Sequence, residues 1–158
     1  MEAHSLQPDR PDIVVLPPVL VGGALLFGVL WELVWPTPIL AAIPARASGA
    51  TLFLLSGLLA HCAQVAMRKA GTNILPTQPA LVLVTSGPFR YTRNPLYLAA
   101  IGVYLGVSLW LGGVAPFVLA LPMIVALHYG IVRREERYLE QKFGENYRTY
   151  RQRVRRWL

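Results

Sequence analysis

Apolar residues fall into four long runs, 13–35, 49–67, 96–111 and 113–132, and polar residues gather in the gaps between them and after the last. Each run approaches the ~20 residues that a helix needs to cross a bilayer. The pattern predicts an all-α, polytopic membrane protein with four transmembrane helices, forming one domain over residues 1–158. Pro17 and Pro18 stand near the start of the first run, where proline costs a helix least. Trp31 and Trp35 lie near its far end, as interfacial aromatics do. Glu32 beside them reads either as a carboxylate reaching the interface or as part of a polar pocket. His61 and Gln64 share one face of the second run and read as packing or ligand-binding groups. Only Gly112 and Gly113 separate the third and fourth runs, so these form a tight hairpin. Gly102 and Gly106 give the third a small-residue face for close packing. The third run is short, and Pro95 is the expected first helical residue. Pro122 is expected to kink the fourth helix, whose last turns carry His128 and Tyr129.

The polar segments differ from one another. Residues 1–12 are polar and proline-punctuated, expected to be loosely ordered and to carry no cleavable signal peptide. Residues 36–48 make a connection with one arginine, Arg46. The 70–94 connection exceeds the ~12–15 residues above which loops tend to be functional. It holds a short apolar piece, 80–85, then Ser86-Gly87-Pro88-Phe89-Arg90-Tyr91-Thr92-Arg93-Asn94-Pro95-Leu96-Tyr97. From residue 133 onward charges alternate with Tyr138, Leu139 and Phe143 in an amphipathic helix, which Gly144 stops. Tyr147, Tyr150, Val154 and Trp157 then recur on one face of a second, basic helix.

Composition sharpens this picture. Apolar residues make up 54% of the 158, and net charge is +7; mean hydropathy is +0.45. Basic residues on a chain this apolar point to anionic lipid rather than nucleic acid. Of 15 Lys and Arg, only Arg46 falls in the 36–48 and 112–113 connections. The positive-inside rule therefore puts both termini and both polar motif blocks in the cytoplasm, in a membrane of the bacterial inner-membrane kind. The single Cys62 excludes an internal disulfide and a Cys-based zinc site.

The three histidines stand far apart, so no metal-ligand spacing appears and no metal is expected. Neither a GxGxxG nor a Walker loop occurs, and the aspartates, Asp9 and Asp12, are remote from any nucleophile elbow. What remains is arginine, paired carboxylates and aromatics. Glu135 or Glu136 can accept from ribose hydroxyls or an amine, and Arg93 or Arg90 can pair with a carboxylate or phosphate. Phe89, Tyr91 and Tyr97 can stack on a base or sit beside a sulfonium. By composition alone, the same residues also read as membrane-interface anchors.

The 83–97 motif, followed by Glu135-Glu136-x-x-Leu139-x-x-x-Phe143-Gly144-x-x-Tyr147-x-x-Tyr150, resembles the isoprenylcysteine carboxyl methyltransferase family within the integral-membrane phospholipid methyltransferases. The likeness runs from about Gly71 onward. It implies an S-adenosylmethionine pocket on the cytoplasmic face, lined by Leu81, Val82, Leu83, Val84, Phe89, Asn94, Pro95, Leu96, Tyr97, Glu135 and Glu136. It implies catalytic roles for Arg93 and Glu135, and a lipophilic or lipid acceptor carrying a carboxylate, thiol or amine. Two departures stand out: Asn94 replaces the family's histidine, and Ile131 replaces a basic residue that touches prenylcysteine. Asn cannot carry a proton as a base near neutral pH. Two other readings stay open: an NADPH-dependent membrane reductase of the sterol-reductase type, and a non-catalytic membrane interaction module. His128, seven residues before Glu135, would share its face if the helix continued.

Overall fold

A computed structural model describes residues 9–37 and 42–158; residues 1–8 and 38–41 lie outside it. Among the described residues the secondary structure is helical: α1 (Pro17–Val34), α2 (Ala42–Ala70), a 3₁₀ turn (Gly87–Arg90), α3 (Pro95–Leu111), α4 (Val114–Leu127), a π-helical segment (His128–Val132), α5 (Arg133–Phe143) and α6 (Glu145–Arg153). Three helices are long and apolar enough to span a membrane: Pro17–Val34, Ile43–Ala70 and the continuous Val114–Phe143. The shorter α3 is 17 residues, starting at Pro95.

Only 11% of the spanning windows of α1 and α2 is buried inside the protein. Leu30, Leu33, Leu54, Leu58, Val118 and Leu121 all face outward. A water-soluble bundle would turn such a stripe inward, so these helices are built for a hydrocarbon surround. The chain is a membrane protein.

α2 packs most extensively on α3, and α1 on α4; contacts of α3 with both α1 and α4 join the pairs. One core cluster holds Tyr97, Leu127, Ile131 and Val132; a second holds Tyr104, Ala120 and Met123. The fully buried Tyr104 donates its hydroxyl to Pro116 O at 2.8 Å, meeting its polar need within the bundle.

Four boundaries differ from expectation. Ile13–Leu16 is not helical; it packs as a strap before Pro17 opens α1. Residues 9–12 are not loose. Asp9 pairs with Lys142 at 2.6 Å, and Asp12 with Arg134 at 3.1 Å. α2 begins at Ala42, so Arg46 lies on its exposed first turns rather than in a loop, with Pro44 tolerated near the N-terminus. The second basic helix ends at Arg153; Val154 is extended (φ −121°, ψ 130°), and residues 154–158 run as a non-helical segment.

Glu32 finds its place at the α3–α4 hairpin. Its carboxylate accepts from Thr37 N–H (2.9 Å), Thr37 Oγ1 (2.7 Å) and Ala115 N–H (3.2 Å). It thus satisfies a free amide in the first turn of α4, with its charge at the positive end of the helix. Gly112 turns the hairpin with φ 72°. A Cβ on Gly113 would run into the Glu32 carboxylate.

Candidate functional site

At the opposite end of α1 from Glu32, the 3₁₀ turn and the start of α3 meet α5 and the 154–158 segment. Pro95 opens α3 with Asn94 as its N-cap residue, whose carbonyl accepts from Leu98 N–H. That fixes Tyr97 on the first turn, where its hydroxyl donates to Glu135 Oε2 at 2.5 Å. The next residue, Glu136, is buried. Its Oε1 accepts from Asn94 Nδ2 (3.1 Å) and lies 3.3 Å from Arg93 Nη2. Its Oε2 accepts from Arg156 Nε (3.0 Å) and Nη2 (2.8 Å). The two motif blocks, far apart in sequence, therefore share one hydrogen-bonded cluster.

The π segment helps present the glutamates. It lies against the strap, whose Val14 N–H donates to Gly130 O at 3.1 Å. The extra residue per turn also rotates α5 relative to α4. His128 consequently stands away from the Glu135 cavities, against Tyr129 and Trp157 with ring centroids 4.8 and 6.0 Å away. Ile131 is fully buried in the core and faces no ligand space.

Two cavities adjoin at this cluster. One, of about 420 Å³, is apolar and opens between α1, α2 and α3; Pro17, Val21, Ala60, Leu96, Ala99 and Val103 form much of its wall. The other, of about 80 Å³, is smaller and the more polar of the two, and lies under the 72–84 loop, against Tyr147 and Tyr150 of α6. Phe89, Arg93, Asn94 and Glu135 line both. Glu135 lies deep in the protein yet keeps part of its surface open to these spaces. A separate hollow of about 510 Å³ runs beneath the 10–16 strap and holds none of the expected site residues.

Val82, Leu83, Val84 and Glu136 line the smaller cavity, and Pro95, Leu96 and Tyr97 the apolar one. Leu81 lines neither; its side chain is exposed and its N–H donates to Thr72 Oγ1 at 2.9 Å. Arg90 and Tyr91 are exposed on the far side of the 3₁₀ turn, where Tyr91 borders a groove with α2. Tyr147 of the tail motif joins the wall, and Thr72 and Met67 complete it without having stood out in the sequence. Burial pushes the Tyr147 and Tyr150 hydroxyls well above the ordinary tyrosine value. Both stay neutral donors.

Arg93 is the anomaly. Its side chain is 8% exposed, yet one nitrogen alone meets Glu136. Nε and Nη1, like the Tyr147 hydroxyl, are buried with no hydrogen-bond partner among the described residues. Unsatisfied buried donors are costly, and these belong to residues that border the cavities, so a small shift would present them to an anionic or hydrogen-bond-accepting ligand group.

A family model described as phospholipid methyltransferase matches residues 44–146, which include the 83–97 motif and the second motif as far as Gly144. An uncharacterized protein of Haemophilus influenzae is 41% identical over 63 residues, covering 40% of this chain and 100% of that protein. No solved structure matches.

Proposed function

This chain belongs to the phospholipid methyltransferase family, and from that premise we propose that it methylates a lipophilic acceptor using S-adenosylmethionine at the cytoplasmic face of a membrane. The observation that carries this reading is Arg93, buried where a small cavity with a mixed lining meets a larger apolar one, with Nε and Nη1 unpartnered among the described residues.

The lining suits the cofactor chemically. Arg93 offers an unpaired N–H donor to its carboxylate, Glu135 an acceptor to its ammonium, and Phe89 a ring near its sulfonium. The smaller cavity alone falls below the ~300–1,000 Å³ of ordinary ligand sites, so the 72–84 loop or α6 moves outward on binding. When bound, the cofactor supplies an electrophilic methyl on a cationic sulfur; the acceptor displaces it and the carbon–sulfur electrons leave with sulfur.

The apolar cavity receives the acceptor from the bilayer, its tail against α1, α2 and α3 and its reactive head at Glu135. The protein's part is to align the two groups and exclude water. A carboxylate or thiolate acceptor needs no base. Both amide hydrogens of Asn94 already serve Glu136 Oε1 and Arg156 O, so Asn94 holds the turn rather than carrying a proton. α3 completes a fourth span in this arrangement, and the basic residues keep both termini and the site cytoplasmic.

Isothermal titration of the purified protein with S-adenosylhomocysteine tests the reading, and binding is expected. Absence of binding in both detergent and nanodiscs overturns it; displacement of the bound ligand by NADPH would favour a reductase instead.

A further inference from the structure

Residues 154–158 do more than end α6. The 155–156 backbone clamps the arginine turn: Arg155 O accepts from Arg93 N–H (2.9 Å), and Arg156 O accepts from Thr92 Oγ1 (3.0 Å) and Asn94 Nδ2 (3.1 Å). The Arg156 side chain reaches the other motif block and takes Glu136 Oε2 with two nitrogens. One residue thus holds both sides of the site. Trp157 next to it is anchored in the core beside Leu127 and Val132.

The division of Glu136 has a consequence for Arg93. A carboxylate facing a single guanidinium prefers the two-pronged arrangement, with both oxygens on both edge nitrogens. Here Oε2 is occupied by Arg156, and Arg93 is left with one contact, at Oε1, through Nη2. Its Nε and Nη1 stay unpaired at the cavity junction. Without Arg156, Glu136 Oε2 would be free to take a second Arg93 nitrogen beside Nη2, drawing the guanidinium into the two-pronged pair and withdrawing one of those donors and its present orientation.

We propose that Arg156 is a positioning residue: by occupying half of Glu136 it keeps Arg93 Nε and Nη1 unpaired, one of them to donate to the carboxylate of the cofactor's methionine half. This rests on the methyltransferase reading, and the test separates the two. Titrations use the full-length protein in nanodiscs with two probes, S-adenosylhomocysteine and 5′-methylthioadenosine, which lacks the amino-acid half. If the parent binds neither probe, the methyltransferase reading fails, and this proposal with it.

If the parent binds both, Arg156→Gln is expected to weaken S-adenosylhomocysteine about tenfold, equal to ~1.4 kcal/mol, and to leave methylthioadenosine unchanged. Adding Glu136→Gln to that variant is expected to recover affinity, because a neutral amide no longer captures Arg93. Equal losses for both probes, no loss for either, or further loss in the double variant would overturn the proposal. Should Arg156→Gln fail to fold, Arg156→Lys, which keeps the charge but not the fork, is read by the same pair of probes.

Discussion

The Tyr97 hydroxyl donates to Glu135 Oε2 at 2.5 Å, joining the first turn of α3 to α5 across the wall of the apolar cavity. The bond uses one carboxylate oxygen of Glu135 and fixes the direction of the other. Tyr97 is itself buried among Leu127, Ile131 and Val132, so its ring has little freedom to move. Tyr97→Phe keeps the ring and removes the bond. The expected cost is ~1.5–3 kcal/mol, the range for hydrogen bonds to charged groups. Methyl transfer is expected to slow more than S-adenosylhomocysteine affinity falls, because Glu135 is loosened but not removed. Thermal unfolding, titration and turnover with methyl-labelled cofactor check these separately.

The α2–α3 contact gives a second expectation. A Cβ on Gly49 would stand 2.6 Å from Gly106 O and 2.8 Å from Trp110 N, and one on Gly106 would stand 2.9 Å from both Gly49 O and Phe53 N. These neighbours are backbone, so the helices must separate. Gly49→Ala and Gly106→Ala are each expected to cost ~1–3 kcal/mol, as overpacking does. The double variant is expected to cost less than the sum, since the first methyl already opens the space for the second. Melting temperatures of the four proteins in one detergent decide it; simple additivity would show that the helices do not move as a unit.

How much of this was legible beforehand depended on whether a feature left a periodic trace. The Gly112–Gly113 hairpin, the Pro95 start, the small-residue face around Gly106 and the stop at Gly144 are written in local residue types, and the structure has them. The beginning of α2 was hidden because Ala42, Pro44, Arg46 and Ser48 lack the apolar density of a span. The π segment was hidden because Leu127, Ile131 and Val132 are apolar in either hydrogen-bond ladder. That single insertion removed His128 from the Glu135 face. Val154 and Trp157 fit a helical stripe, yet the chain there is extended, and no periodicity could show Arg156 bridging two motifs. The motif resemblance named residues that the fold brings into one cluster, while the division of Glu136 between Arg93 and Arg156 leaves no trace in residue types.

Glu32 offers a control remote from the site. Its carboxylate meets the N–H and hydroxyl of Thr37 and the N–H of Ala115. Glu32→Ala leaves those donors unpaired at the hairpin, and the expected loss is ~1–3 kcal/mol. S-adenosylhomocysteine affinity is expected to stay at the parent value, because Glu32 sits at the end of α1 away from Pro17 and Pro18, which line the apolar cavity. A changed affinity with unchanged melting temperature would show that the two ends of the bundle are coupled.

The strap over the π segment carries a pH signature. The hydrogen bond from Lys142, with a second from the Tyr138 hydroxyl, holds the Asp9 carboxyl below its ordinary value of 3.8. A carboxyl depressed in the folded state binds fewer protons there than when unfolded, so its stabilisation is present above 3.8 and is lost as pH falls through the lower, folded value. The same strap places Val14 N–H on Gly130 O, so releasing Asp9 loosens the strap's contact with the π segment. Asp9→Asn removes the charge at every pH. Its melting temperature is therefore expected to lie below the parent's at neutral pH, with the gap closing as the medium is acidified below the ordinary carboxylate range. Thermal unfolding of both proteins in one detergent across that range measures the gap, and a gap that widened toward acid would mean that the Asp9–Lys142 pair does not hold the strap.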